Sequence, residues 1–333
     1  MDDIELSIII VSYNEEAYIR DALESCLTQK CNFSYEIIVG DDGSSDGTLP
    51  ILDEYKRRYP EIFSYFVMER SNLSQMIPSL RVSNVIKEGF QRARGSYLMV
   101  LSADDVLIRD DKLQSQVDFL EGNKKFVACC TDFELFWPDG QHRKIAMRAS
   151  LSRLSFWATQ YMHISCFVFR REVLQNMLER FCDDTGMIFS IMVTGKCSHL
   201  PVVAFGYRQR DKSIMASTDS LGLYVLELLV LQDTLNSGFF CSASWARSAV
   251  ALKYVFTHRQ VLKEKKYERY LFHGRSLPHD YLSKIANYDI LPLGKRLATR
   301  YVLYRALLYR CIFRVLRKID IVWHMVLERP IHL

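Results

Sequence analysis

The apolar positions of this chain change period along its length, and those changes mark out its elements. Leu6 to Val11 is an uninterrupted aliphatic run rich in β-branched residues, the pattern of a strand buried on both faces. Asn14 and Glu15 follow as candidate helix caps. Ile19, Ala22, Leu23, Cys26 and Leu27 then recur at helical spacing, so residues 16–29 are expected to form an amphipathic helix. Glu36 to Gly40 reads as a second strand, residues 41–47 as a polar turn, and Leu49 to Tyr59 as the next helix. A third strand is expected over Phe63 to Met68. A helix over 78–93 should end at Gly95 acting as its stop. Tyr97 to Leu101 is a strand that runs directly into Ser102-Ala103-Asp104-Asp105. Beyond it come a helix over 112–121, a strand from Phe126 to Asp132 and a hairpin turn at Trp137-Pro138-Asp139-Gly140. Residues 150–210 mix helix and strand. From about 213 the pattern is helical, with aliphatic stretches such as Leu221 to Leu231.

Strands and helices alternate through the first hundred residues. That order predicts an α/β fold with a mostly parallel, Rossmann-like sheet. Ligands of such sheets lie beyond the carboxyl ends of the strands. Two acidic clusters, Asp41-Asp42 and Asp104-Asp105, fall at such ends. The chain is expected to divide into a catalytic domain over 1–212 and a helical region over 213–333.

Composition narrows the function classes. A net charge of +4 is too small to point to nucleic acid. Its nine cysteines are scattered, with no CxxC pair or zinc spacing, which suits reduced thiols in the cytoplasm. The acidic start Met1-Asp2-Asp3 does not resemble a secretory signal, and no stretch is long and apolar enough to span a membrane. A cytoplasmic location, at the inner face of the cell membrane if the C-terminus binds lipid, is the expectation. Between Lys295 and Lys318 there are eight Lys/Arg and no acid, interleaved with Tyr301, Tyr304, Tyr309 and Phe313. Two readings of 295–333 stand: a helix packed on the catalytic domain or on a second subunit of a homo-oligomer, or a helix lying on an anionic membrane surface.

The loop Asp41-Asp42-Gly43-Ser44-Ser45-Asp46-Gly47-Thr48 contains turn formers, and it also has the makings of a nucleotide site. A carboxylate at a strand end can accept the imide N–H of uracil, and the glycines let backbone approach a ligand. Neither GxGxxG nor GxxxxGK[ST] is present, which disfavours a dinucleotide fold and a P-loop. Adjacent carboxylates such as Asp104 and Asp105 repel each other unless a cation lies between them. Hard oxygen ligands suit Mn²⁺ or Mg²⁺ shared with a diphosphate. Asp183-Asp184 is a third acidic pair, followed by Gly195-Lys196.

Taken in order, these segments resemble family 2 glycosyltransferases of the GT-A fold. The resemblance runs through Ser7-Ile8-Ile9-Ile10-Val11-Ser12-Tyr13-Asn14-Glu15, Asp41 to Thr48, and Gly95-Ser96-Tyr97 leading to Asp104-Asp105. It continues through Phe169-Arg170-Arg171-Glu172-Val173-Leu174, Asp183-Asp184 and Gly206-Tyr207-Arg208-Gln209-Arg210, covering roughly residues 5–215. The resemblance implies that Val11 and Tyr13 line the nucleoside pocket, that Glu15 belongs to the same donor-binding site, and that Asp42 or Asp41 binds the base. It implies that Asp104 and Asp105 hold the ribose and a Mn²⁺ or Mg²⁺ ion, and that Asp184 is the general base. Arg208 and Arg210 would lie near the donor diphosphate. The implied activity is inverting transfer of a sugar from a nucleotide-sugar donor, expected to be a UDP-sugar, to a saccharide or lipid-linked acceptor in surface polysaccharide synthesis.

The chain departs from the family pattern at four places. Ser102 replaces the first acid of the metal motif, Asp183 replaces a Glu, Ile86 replaces an Arg in the helix before Gly95, and Arg210 replaces a His. A non-catalytic nucleotide-sugar binding module on the same fold is the alternative. A nucleotidyltransferase would need a basic Gly-rich phosphate loop, which Tyr13-Asn14-Glu15-Glu16 does not supply. Sugar specificity is expected to lie in loops such as 137–165.

Overall fold

The computed structural model of the protein describes residues 4–69, 78–145, 163–178, 182, 184–210, 271–272 and 275–276. The chain divides into two compact units. The first comprises residues 1–219 with 270–274, and the second comprises 220–269 with 275–333. The basic segment 295–333, the aliphatic stretch 221–231 and Asp183 lie outside the described residues.

Residues of the first unit form a nine-stranded sheet. Strand β1 (Leu6–Ser12) is central, and Ile8, Ile9 and Ile10 are fully buried on both of its faces, as an unbroken aliphatic run requires. β2 (Tyr35–Asp41) and β3 (Phe63–Val67) extend the sheet on one side in parallel. The chain then crosses back to place β4 (Tyr97–Ser102) parallel to β1 on its other side. The strand order therefore reverses at β1, and a crevice forms at such a switch point. Helices α1 (Ile19–Leu27), α2 (Thr48–Arg58) and α3 (Pro78–Arg92) make the crossovers.

The rest of the sheet is mixed. β5 (Val106–Leu107) follows the second acidic cluster, and α4 (Lys112–Gly122) leads into β6 (Phe126–Phe136). β6 turns through Trp137–Gly140 into β7 (His142–Ile145), with Gly140 at φ 84° closing the hairpin. β8 (Phe167–Arg170) joins β4 to β6 in antiparallel fashion. Helices α5 (Leu174–Leu178) and α6 (Asp184–Thr194) precede β9 (Lys196–Arg208), which runs parallel to β6 and antiparallel to β5. No helix among the described residues is long and apolar enough to cross a membrane.

Two expectations about helix ends are corrected. Gly95 is not a left-handed helix stop; its backbone has no positive φ. A Cβ there would lie 2.5–2.8 Å from the backbone of Leu6 and Ser7, so glycine is needed because two chain segments touch. Asn14 and Glu15 do not cap α1, whose N-cap is Tyr18 with no side-chain hydrogen bond. Asn14, at φ 54°, instead reaches across to the loop after β2.

Candidate functional site

Strand register builds the site. Ser12 is paired with Asp41, and Val11 with both Gly40 and Ser102. The ends of β1, β2 and β4 thus lie side by side at one level, and the loops leaving them are neighbours. The Val11 carbonyl accepts from Ala103 N–H at 2.9 Å, so the strand end that carries Asp104-Asp105 is tied to β1.

The loops after β1 and β2 are bonded to each other by side chains. Asn14 N–H donates to Ser44 Oγ, Ser45 N–H to Asn14 Oδ1, Glu15 N–H to Thr48 Oγ1, and Glu16 N–H to Asp46 Oδ2. Gly47 N–H donates to Glu16 Oε2. Asp41 is consumed locally, since its two carboxylate oxygens accept from Ser44 N–H and Ser44 Oγ–H at 2.7 and 2.6 Å. Asp42 is buried and faces a different group. Its Oδ2 accepts from Arg81 Nε at 2.8 Å. The two acids are therefore held differently: Asp41 is bonded within its own turn, and Asp42 pairs with Arg81. Tyr13 is half-buried beside them.

Arg81 is missing from the residues expected from sequence. Ile86, where the family pattern has an Arg, is a core residue, only 3% exposed. Helix α3 nevertheless brings a guanidinium to the loop, from five residues earlier.

The second acidic cluster sits where β9 passes β5. Arg208 N–H donates to Asp105 Oδ1 at 2.9 Å, and Arg208 Nε to the Asp104 carbonyl at 2.8 Å. The Arg208 guanidinium also meets Asp21 and lies over the rings of Tyr18 and Phe136. Arg210 binds both carboxylate oxygens of Glu15 and reaches Asp104 Oδ2 at 2.8 Å. Burial pushes the Glu15 carboxyl up to about 7, with Arg210 opposing and Asp104 adding to the rise. Asp105 is fully buried. Burial first, and then the charge of Asp104, hold its carboxyl well above the usual range.

Asp184, the first residue of α6, comes to the same place. His163, just before the turn that leads into β8, has its Nε2 3.7 Å from Asp184 Oδ2 and 4.0 Å from Asp105 Oδ2. Acids far apart in sequence thereby flank one imidazole. His163 was not singled out from sequence because it stands alone, without a motif, in the 137–165 segment.

The profile described as "Glycosyl transferase family 2" matches residues 7–178, just over half of the chain. The chain belongs to this family. It is 31% identical over 176 residues to the uncharacterized protein Mb1547 of Mycobacterium bovis, covering 50% of this chain and 47% of that one. To the putative teichuronic acid biosynthesis glycosyltransferase TuaG of Bacillus subtilis it is 32% identical over 115 residues, 34% of this chain and 41% of TuaG. The chain spans about half the length, or less, of these curated relatives. Among solved structures, S. aureus TarS 1–349 in complex with UDP-GlcNAc superposes with a TM-score of 0.58 at 17% identity, covering 95% of this chain and 92% of TarS. That likeness establishes the GT-A fold.

The family generally employs divalent metals, and the residues here suit one. Among the described residues Asp105 Oδ2 is buried without a hydrogen-bond partner, a costly state for a carboxylate oxygen and a natural one for a ligand atom. Asp104 lies next to it. Among the described residues no three His, Cys, Asp or Glu converge into a cage. Two carboxylates completed by substrate phosphates are the usual arrangement for Mg²⁺. Ser12 Oγ and Arg210 Nε are likewise buried without hydrogen-bond partners among the described residues.

Proposed function

We propose that the protein is an inverting, metal-dependent transferase that moves a hexose from a UDP-sugar to a hydroxyl of a saccharide or lipid-linked acceptor in surface polysaccharide synthesis. The carrying observation is the convergence of Asp105 and Asp184 on one side chain beyond the switch point of the sheet. The name of TuaG supports the polysaccharide setting, and the UDP-GlcNAc bound to TarS supports the donor class.

In this reading Tyr13 and Val11 flank the nucleoside, and Asp42, fixed by Arg81, accepts the imide N–H of the base. Asp104 and Asp105 hold Mn²⁺ or Mg²⁺, which when bound neutralises charge growing on the leaving diphosphate. Arg210 keeps a fixed positive charge beside Asp104 and the departing group. Asp184, half-buried at the start of α6, takes the proton of the acceptor hydroxyl as that oxygen attacks C1 from the opposite face. The C1–O bond to the diphosphate breaks with its electron pair, and the anomeric centre inverts.

A thermal-shift panel of sugar nucleotides with and without Mn²⁺ tests the reading first. A donor at 100 times its dissociation constant should stabilise the fold by about 2.7 kcal/mol. Donor hydrolysis in the presence of Mn²⁺ then separates a transferase, which leaks sugar to water, from a binding module, which does not. Asp184→Asn is expected to keep the thermal shift and lose hydrolysis. Full turnover by that variant removes Asp184 as base, and turnover indifferent to EDTA removes the metal.

A further inference from the structure

His163 has an environment that fixes both its proton and its direction. The backbone N–H of Ser165 donates to its Nδ1 at 3.3 Å, so Nδ1 is an acceptor and the ring proton resides on Nε2. The ring is held against Phe205 and Tyr207, with centroid distances of 4.8 and 4.7 Å, and against Phe133 at 6.5 Å. Only 15% of the side chain is exposed. The Nε2–H is therefore a rigid donor, and among the described residues it lies 3.7 Å from Asp184 Oδ2 and 4.0 Å from Asp105 Oδ2.

The two acids differ in freedom. Asp105 is clamped by the Arg208 N–H and fully buried, whereas 45% of the Asp184 side chain is exposed at the start of α6. A general base needs one oxygen aimed at the acceptor, and an exposed carboxylate rotates among rotamers. Both distances exceed a hydrogen bond, as is common for catalytic contacts before the reactants close the site.

We propose that His163 is a positioning residue for the Asp184 base. Its neutral Nε2–H bonds Oδ2 of Asp184 in the reactive complex, leaves Oδ1 turned to the acceptor hydroxyl, and ties the base to the Asp105 end of the donor site. No proton moves through His163. The acceptor proton ends on Asp184, and the imidazole keeps its own. This inference rests on the reading of Asp184 as base.

The full chain is used for the test, with the nucleotide sugar giving the largest thermal shift as donor and donor hydrolysis as readout. Binding is measured calorimetrically with UDP and Mn²⁺. His163→Leu is expected to lower kcat about 100-fold, the scale of a misplaced catalytic group, with the Kd for UDP and Mn²⁺ within about twofold of wild type. His163→Gln, whose side-chain amide N–H reaches the Nε2 position, should restore at least about tenfold of that loss. Unchanged kcat in His163→Leu with Asp184→Asn inactive overturns the inference and leaves the base in place. An equal loss of UDP and Mn²⁺ affinity overturns it in favour of a binding or folding role. Full activity in Asp184→Asn overturns both readings.

Discussion

Replacing Gly95 by Ala adds one carbon at a point where the chain has no room for it. The new Cβ would lie 2.5 Å from Ser7 N, 2.6 Å from Leu6 C and 2.8 Å from Leu6 Cα, where ordinary contacts begin at 3.4 Å. All three are backbone atoms at the start of β1, which is hydrogen-bonded on both sides and cannot yield by rotating a side chain. Gly95 N–H also donates to Ser7 Oγ, and its carbonyl accepts from Arg171 Nε, so shifting it disturbs both bonds. Forced overpacking costs about 3 kcal/mol. The smaller entropy of an unfolded Ala offsets roughly 0.5–1 kcal/mol of this. A net loss of about 2 kcal/mol should lower Tm by roughly 4–8 °C for a domain of this size. Gly122→Ala is the internal control. That residue ends α4, and among the described residues no heavy atom stands within 4 Å of where its Cβ would be, so the same carbon should stabilise by about 0.5–1 kcal/mol. Urea titration with a common m-value gives both shifts. Shifts of the same sign, or a Gly95→Ala stability within about 0.5 kcal/mol of wild type, would refute the close-approach account.

The remaining predictions concern the site. Arg81→Ala strips the guanidinium from buried Asp42 and should cost about 3 kcal/mol while weakening UDP binding; a melt identical to wild type would show the pair to be dispensable. Asp105→Asn should abolish the extra stabilisation that Mn²⁺ gives in the presence of UDP, read by thermal shift, and an intact Mn²⁺ effect would assign the cation elsewhere. Glu15 titrates at about 7 in the fold against 4.5 unfolded, so the native state holds its proton longer and stability falls as pH rises from 4.5 to 7. Glu15→Gln should flatten that slope by up to about 3 kcal/mol across the window, and parallel pH profiles would contradict the shift.

The α/β alternation was readable because buried strands such as Leu6–Ser12 and amphipathic helices such as Ile19–Leu27 carry unmistakable periods. The placement of both Asp clusters followed from it, since ligand loops leave parallel strands at their carboxyl ends. What could not be read were relations across the chain. Asn14 has the composition of a helix cap, yet its carboxamide is claimed by Ser45, a residue on another loop. Gly95 has the position of a helix stop, and only the adjacency of β1 reveals its actual constraint. Nothing local distinguishes Asp41 from Asp42; their difference comes from Ser44 on one side and Arg81 on the other. His163 acquires meaning only when β8, β9 and α6 assemble around it.

The bonds that join the loops after β1 and β2 have a consequence for how the donor's charge is met. The backbone N–H groups of Asn14, Glu15, Glu16, Ser44, Ser45, Gly47 and Thr48 are all spent on side-chain oxygens of these same two loops. Those seven amides form no nest for phosphate, unlike the glycine-rich loops that wrap a nucleotide in backbone dipoles. In the proposed function, neutralisation then falls to discrete ions, a guanidinium and a cation, and binding that pairs such charges weakens with dissolved salt. Donor affinity should therefore weaken steeply with ionic strength, and free polyphosphates should compete for the same charges.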